Sequence, residues 1–310
     1  MTPHENSTAK IGLGTVQFGL DYGIANTNGR IPFDEVEQIL GRAATLGITV
    51  LDTAALHGVS EETLGRILGP EHPFRIVTKT SKAAGDRITD NDAADLAGTF
   101  DRSLQRLKQQ TVYGLLIHDA DDLLKPGSQL LIDALRRVRD SGRVTKIGVS
   151  VYTGAQLDSV LDLFTPDLVQ LPLNVLDQRL IADGRLDRLH QMGVEIHARS
   201  VFLQGLLLME PQSLDAYFDP VRDRLEDYWK GIKQTGATPL EGALRFALGL
   251  SQIDTVIVGV CSRQELEDIC VASMHRDFPE IDFGRWAVND PRYVNPSRWR
   301  LKQMASAGRR

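Results

Sequence analysis

Little in this sequence would staple a fold, anchor it in a bilayer or turn it into a cationic platform. There are two cysteines, Cys261 and Cys270, and they form no CxxC pair. No disulfide framework is therefore expected, and the compartment is read as reducing. No apolar run approaches the roughly 20 residues that span a bilayer. The N-terminal MTPHENSTAK is polar, with no apolar stretch behind it, so no signal peptide is expected. Basic charge is in deficit: 35 Lys and Arg face 41 Asp and Glu, a formal charge of −6. That argues against the phosphate backbone of a nucleic acid as a main partner. The expectation is a soluble, cytoplasmic protein with small-molecule partners, no nucleic acid and no membrane. Oligomeric state is left open.

What the chain does have is core material and a rhythm. Hydrophobic residues make up 42% of 310, enough for a sizeable core without disulfide or metal. Eight short, mostly apolar runs recur: IGLGTV from Ile11, TVLDTA from Thr49, RIVTKT from Arg75, YGLLIH from Tyr113, KIGVSV from Lys146, LVQLPLN from Leu168, VEIHARSVF from Val194 and TVIVGV from Thr255. Most are continuous rather than alternating, as strands buried on both faces should be. A helical pattern follows each, at 32–46, 61–68, 92–107, 128–141, 153–164, 179–192, 239–250 and 262–273. Gly142 and Gly193 close two of them. Thr238-Pro239 opens the seventh, and Ser262 with Glu265 forms a capping-box pattern at the eighth.

Eight strand–helix units predict an α/β chain folded as a closed (β/α)8 TIM barrel. The barrel is placed over about residues 10–275 of a single domain, 1–310, with an irregular C-terminal tail, 276–310. An open doubly wound sheet is the alternative, but no GxGxxG follows the first run. The longest interruption, 210–235, is charged and aromatic and reads as an excursion over the barrel mouth.

Parallel barrels bind ligands where their strands end. Residues 49–68, TVLDTAALHGVSEETLGRIL, end a strand in Asp52, turn at His57-Gly58 and start a helix near Ser60 in a Ser-x-x-Glu-like pattern. The other strand ends offer Lys79, His118, Ser150, Gln170, Arg199, Ser200 and Gly259. A lysine inside IVTKT needs an anion, because buried lysine is rare without a partner, and Asp52 is the candidate. Asp52, His57, Lys79 and His118 then form one ionisable cluster at the ends of three neighbouring strands.

The segments GTVQFG, LDTAALHG, VTKT, LLIH, GVS, VQLPLN, RSVFLQGLLL and VIVG occur in that order. Together they resemble the aldo-keto reductase superfamily, most of all the bacterial subgroup whose first strand reads GTxQFGxxYGIxN (residues 14–26 here). The resemblance implies a (β/α)8 barrel that reduces aldehydes and ketones with NADPH and holds no metal. It assigns Asp52, Lys79 and His118 to three of four catalytic positions and puts His57 where the family carries a proton-donating tyrosine. For the cofactor it implies Gly14 and Thr15 on the first strand, and Ser150, Gln170 and Asn174 around the nicotinamide. Arg199 stands where a tyrosine usually stacks on that ring. Ser200 to Gly205 would follow the pyrophosphate, and Gly259, Ser262 and Arg263 would lie at the phosphate end. Val151 and Ile269 occupy places where relatives often have asparagine. NADP(H) is the cofactor expected from the resemblance, with NAD(H) as the alternative.

The function expected is NAD(P)H-dependent hydride exchange between a small carbonyl and its alcohol, sugar-derived substrates included. A carbonyl that takes hydride builds negative charge on oxygen, and a positioned acid and hydrogen-bond donors answer that charge. Two alternatives stay open: a non-redox lyase, isomerase or epimerase using His57 and His118 as acid and base, and a cofactor-binding protein that has lost reductase chemistry. Asp119, Asp121 and Asp122 read as a solvated acidic loop rather than a metal site. His197 reads as a core residue, and the basic residues Arg298, Arg300, Lys302, Arg309 and Arg310 as a solvated tail. Tyr22 and Tyr152 are further phenols near strand ends, and loops 19–30, 120–127 and 210–235 are expected to carry substrate selectivity.

Overall fold

Each of the eight apolar runs forms a strand, and their hydrogen bonds close into a ring. In the computed structural model, which describes residues 7–274 and 279–301, the strands are β1 (Ile11–Gly14), β2 (Val50–Asp52), β3 (Arg75–Lys79), β4 (Val112–Ile117), β5 (Val144–Ser150), β6 (Leu168–Pro172), β7 (Glu195–Arg199) and β8 (Thr255–Gly259). They are parallel and adjacent in chain order, and β8 pairs back onto β1 with Val258 opposite Leu13, so the barrel has no edge strand.

The helices are α1 (Phe33–Thr45), α2 (Ser60–Ile67), α3 (Asp90–Leu107), α4 (Gln129–Asp140), α5 (Gly154–Leu163), α6 (Arg185–Gln191), α7 (Asp219–Gln234), α8 (Pro239–Leu248) and α9 (Arg263–Ser273). Their apolar faces pack on the outside of the barrel, as with Val36, Ile39, Leu40 and Ala43 of α1. Thr89, Thr153 and Thr238 open α3, α5 and α8 with reciprocal capping boxes, each contributing about 1 kcal/mol. Gly142 at φ +77° stops α4 where only a residue free of Cβ strain fits well.

Four local features differ from the sequence expectation. The helix expected at 179–192 is broken at Asp183-Gly184 into the turn Arg179–Ala182 and α6, because Gly184 takes φ +72°. Ser60 does not cap α2 but lies in its first turn. Its hydroxyl donates to the Thr15 carbonyl at 2.8 Å and meets the Thr15 and Thr53 hydroxyls, stitching β1 to β2. Ser262 caps α9 through the Glu265 N–H, but Glu265 returns its carboxylate to the Cys261 N–H, so the box is only half formed. Finally, 210–235 is no excursion over the mouth: most of it is α7, packed beside α8 and against the tail. There Trp286 is buried, donates to Asp227 at 2.8 Å and meets the Tyr228 ring at 5.3 Å. Residues 275–278 and 302–310, including the basic run at Lys302, Arg309 and Arg310, lie outside the described residues.

The barrel interior has a floor. Val50, Val77, Leu116, Leu168 and Ile257 form an apolar cluster inside the ring. Beneath it His197, with no exposed surface, bonds Glu195 at 2.7 Å, and Glu195 also takes Tyr113 at 2.6 Å and Lys146. Burial alone would raise the Glu195 pKa, but hydrogen bonds from His197, Lys146 and Tyr113 outweigh it and hold the carboxyl at about 2.

A second buried carboxylate ties the outer layer together. Glu61 on α2, 1% exposed, accepts from Thr78 of β3 at 2.6 Å and from Arg106 of α3 at 2.8 Å. Removing one partner of such a pair strands the other. Glu61→Ala is expected to cost about 3–5 kcal/mol in urea unfolding; a loss below about 1 kcal/mol would show the bridge to be dispensable.

Candidate active site

Side chains alternate along a strand, so residues two apart share a face. That rule builds the site. Asp52, Lys79, His118, Gln170 and Gly259 each follow by two residues a member of the inner apolar cluster, namely Val50, Val77, Leu116, Leu168 and Ile257. The same inward face that is oily in the middle of the barrel becomes polar at its C-terminal end, and these residues line one cavity of about 550 Å³. Gly14, Thr15, Ser150, Arg199, Ser200 and Gly205 share its wall, together with His57.

Lys79, 3% exposed, donates to Asp52 Oδ1 at 2.7 Å, to Oδ2 at 2.8 Å and to the Thr53 carbonyl at 2.9 Å. Three acceptors use all three protons of an ammonium. Gln170 donates to Asp52 Oδ1 at 2.7 Å from across the barrel. Burial works against the Asp52 charge, but Lys79, His57 and the hydrogen bonds from Lys79 and Gln170 overcome it and hold the carboxyl below its ordinary value. Burial pulls Lys79 downward, and Asp52 opposes that only in part.

The two histidines face each other edge to plane, with ring centroids 5.8 Å apart. His57 is set by a tight turn. Its N–H donates to the Ala54 carbonyl at 3.0 Å, its carbonyl accepts from Ser60, and Gly19 packs so close that a Cβ there would lie 1.9 Å from the His57 carbonyl oxygen. His118 follows β4 directly, its N–H on the Thr80 hydroxyl at 3.3 Å. Burial first and the Lys79 charge second drive His57 down to about 3 and His118 to about 4. Both imidazoles are neutral at neutral pH.

The wall beyond β7 is made by a strained loop. Ser200, Leu203 and Gln204 take φ +60°, +50° and +55°. Gly205, at φ +92°, lets the loop touch Ala25, which a Cβ would meet at 2.4 Å. Gln204 donates to the Tyr22 hydroxyl at 3.1 Å. Arg199 stacks its guanidinium 4.1 Å from the Tyr152 ring centre and donates to the Val151 carbonyl at 3.0 Å. It has no carboxylate within salt-bridge distance among the described residues.

Asn174, Ser262 and Arg263 lie outside the cavity wall. Asn174 is fully buried; it donates to the Ser200 carbonyl at 3.1 Å and accepts from the Leu176 and Asp177 N–H groups, shaping the turn beneath the β7 loop. Ser262 caps α9, and the Arg263 N–H is held by Glu35 at 2.6 Å. Sequence reading gave no site role to Leu56, Cys261 and Glu265, all in the wall, and did not single out Gln17, Leu20 or Gln204. Of the three loops expected to carry selectivity, only 19–30 reaches the cavity, through Leu20, Tyr22, Gly23, Ala25 and Asn26. The acidic loop is occupied elsewhere: Asp119 pairs with Lys82, Asp121 takes Gln156, and Asp122 holds Lys125.

Among the described residues, six buried side-chain polar atoms lack a hydrogen-bond partner. Four of them, on Gln17, His57, His118 and Gln204, belong to the wall of this one cavity. Such groups cost free energy unless a ligand or water answers them. These four atoms leave the wall open to hydrogen bonds from a polar ligand or from water.

Comparison with known proteins gives the same picture. The profile of the Aldo/keto reductase family matches residues 10–288. The chain is 33% identical to the oxidoreductase YdhF of Escherichia coli over 197 residues, 58% of this chain and 63% of that protein, so the match spans less than two thirds of its length. It is 27% identical to an L-galactose dehydrogenase of Arabidopsis thaliana over 83% of each chain. Among solved structures, an aldo-keto reductase from Bacillus halodurans superposes with a TM-score of 0.71 at 19% identity, covering 94% of this chain and 95% of that one. At that identity the likeness establishes the fold alone.

The depressed histidines make a pH prediction. In the unfolded chain both imidazoles take a proton near pH 6.5, and in the fold only near pH 3 to 4. The unfolded state therefore binds more protons in that interval, so stability falls as pH drops through it and is unaffected by these groups above it. Ring-proton NMR should show the His57 and His118 signals flat down to about pH 5; a midpoint between about 6 and 7 for either would refute the burial argument.

Proposed function

This chain belongs to the aldo/keto reductase family, and from that premise we propose that it interconverts a small carbonyl compound and its alcohol by hydride exchange with a nicotinamide dinucleotide. The observation that supports this reading is the convergence of a buried ammonium and two neutral imidazoles on the wall of one cavity. The wall also suits a dinucleotide. Gly205 and Gly259 leave room where a Cβ would strike Ala25 or Gln17, and the orphaned amide oxygens of Gln17 and Gln204 await donors.

When bound, the dinucleotide supplies or accepts the hydride. The protein handles the oxygen. Lys79 has no proton to spare for a substrate, since all three are engaged, so its role is a fixed positive potential held upright by Asp52. His118 and His57 are the proposed donors to the carbonyl oxygen. Because both are neutral, they act as N–H donors rather than as cationic acids, and the nearby ammonium eases proton loss from His57 as charge builds on the oxygen. Gln170 braces Asp52 and keeps the ion pair in one geometry. Ser150 and the β7 loop, with Arg199, Ser200 and Gly205, would orient the dinucleotide, and Asn174 would hold that loop in shape.

A small polyhydroxylated or sugar-derived substrate is the class we favour. The site is polar at its base, and a relative at 27% identity is named for L-galactose. A second reading, a non-redox isomerase or epimerase working through the His57 and His118 pair, draws on their 5.8 Å spacing. It would show turnover with no net change in nicotinamide absorbance.

Lys79→Met and His57→Ala should each lower kcat by about a hundredfold or more, with dinucleotide Kd unchanged within about threefold. Stopped-flow reduction and fluorescence titration would separate the two parameters. Unchanged turnover in both variants would sink the assignment. With neutral donors, kcat/KM should also stay level between about pH 5.5 and 7.5, whereas a fall through about pH 6.5 would mark a cationic imidazole as the acid.

A further inference from the structure

The cavity wall changes character at the end of β8. The first turn of α9 would ordinarily offer free amide donors to an anion. Here three amides in or just before that turn are engaged by side chains of the chain itself, two of them by acids. The Cys261 N–H donates to Glu265 at 2.7 Å, the Arg263 N–H donates to Glu35 at 2.6 Å, and the Glu265 N–H donates to the Ser262 hydroxyl at 3.1 Å. Glu265 and Cys261 stand in the wall itself, beside Gly259 and Gln17. The one basic residue of the segment, Arg263, faces away: it is absent from the wall, and its guanidinium lies 3.8 Å from Glu267, which Arg42 also holds at 2.8 Å. The Cys261 thiol registers the local field. Burial first, then Glu265 and Asp21, push it up to about 11.

We infer that this wall selects NAD(H) against NADP(H), with Glu265 as the principal discriminator and Glu35 as its support. The inference rests on the dinucleotide reading above and reverses the cofactor preference expected from resemblance alone. The reacting ring must reach Lys79 and the two histidines, so the adenosine end is left for the β8 wall, where Cys261 and Glu265 stand. A ribose there that carries hydroxyls is welcome. Glu265 Oε1 has no hydrogen-bond partner among the described residues and accepts from a 2′- or 3′-hydroxyl. A ribose carrying a 2′-phosphate brings about two negative charges to the same place. It meets one carboxylate in the wall and a second behind it, and finds the Cys261, Arg263 and Glu265 amides already taken. Binding a phosphate would mean displacing both acids with no lysine or arginine on the β8 side of the wall to compensate.

The test is fluorescence titration of the full chain with NADH and NADPH, repeated on Glu265→Gln, Glu265→Arg and Glu35→Gln, with thermal melts to confirm folding. NADH should bind at least about tenfold more tightly than NADPH, about 1.4 kcal/mol. Added salt should narrow the ratio, because exposed charges are screened. Glu265→Arg should improve NADPH binding by about tenfold or more while weakening NADH only modestly, and Glu265→Gln should move the same way by less. Competition by 5′-AMP but not by 2′,5′-ADP would place the discrimination at the adenosine end. NADPH binding as tightly as NADH, or both cofactors shifting equally in the Glu265 variants, overturns the inference and leaves the dinucleotide reading standing. Binding of neither dinucleotide overturns both.

Discussion

The ammonium of Lys79, locked by three oxygens in the mouth of a protein ring, is the constraint on which the site depends. A charge 3% exposed to solvent persists only if its partners are close and fixed. Asp52 meets it with both oxygens, Gln170 steadies Asp52 from the opposite strands, and the Thr53 carbonyl takes the last proton. The pair in turn sets its neighbours. Its ammonium places positive potential beside two imidazoles that burial already holds neutral.

The eight strands and most helices were legible because their physical causes are local. A strand covered on both faces must be apolar throughout, and a run such as YGLLIH announces itself. Lys79 was legible for the opposite reason, since a lysine in such a run is an anomaly that demands an anion. What the runs hid was their inner alternation. The outward residues are as apolar as the inward ones, because helices cover them, so the step from Val50 to Asp52 or from Leu168 to Gln170 carries no visible period. The Gln170–Asp52 bond joins residues 118 apart, and only ring closure brings them together.

The misses have equally specific causes. Helix α7 has a charged, weakly hydrophobic sequence whose buried face, Val221, Leu225, Tyr228 and Ile232, finds its cover in α8 and the tail. One glycine at positive φ split the helix expected at 179–192. Asn174 was placed at the cofactor by resemblance, whereas its amide bonds the Ser200 carbonyl and the Leu176 and Asp177 N–H groups. Glu265 was read only as a helix cap, and Glu35 was not legible at all, because it acts on the backbone N–H of a residue 228 positions away.

The floor beneath the cavity has a consequence for traffic. His197, Glu195, Lys146 and Tyr113 are tied together at the N-terminal end of the ring, and the apolar layer lies between them and the cavity. The cavity wall is drawn from the C-terminal strand ends and their loops, so that is the doorway to Lys79. Were the two proposed guests to share that doorway, they would not exchange places freely: the one seated deeper would arrive first and depart last, and the pace of the cycle would be set by the one standing in the way.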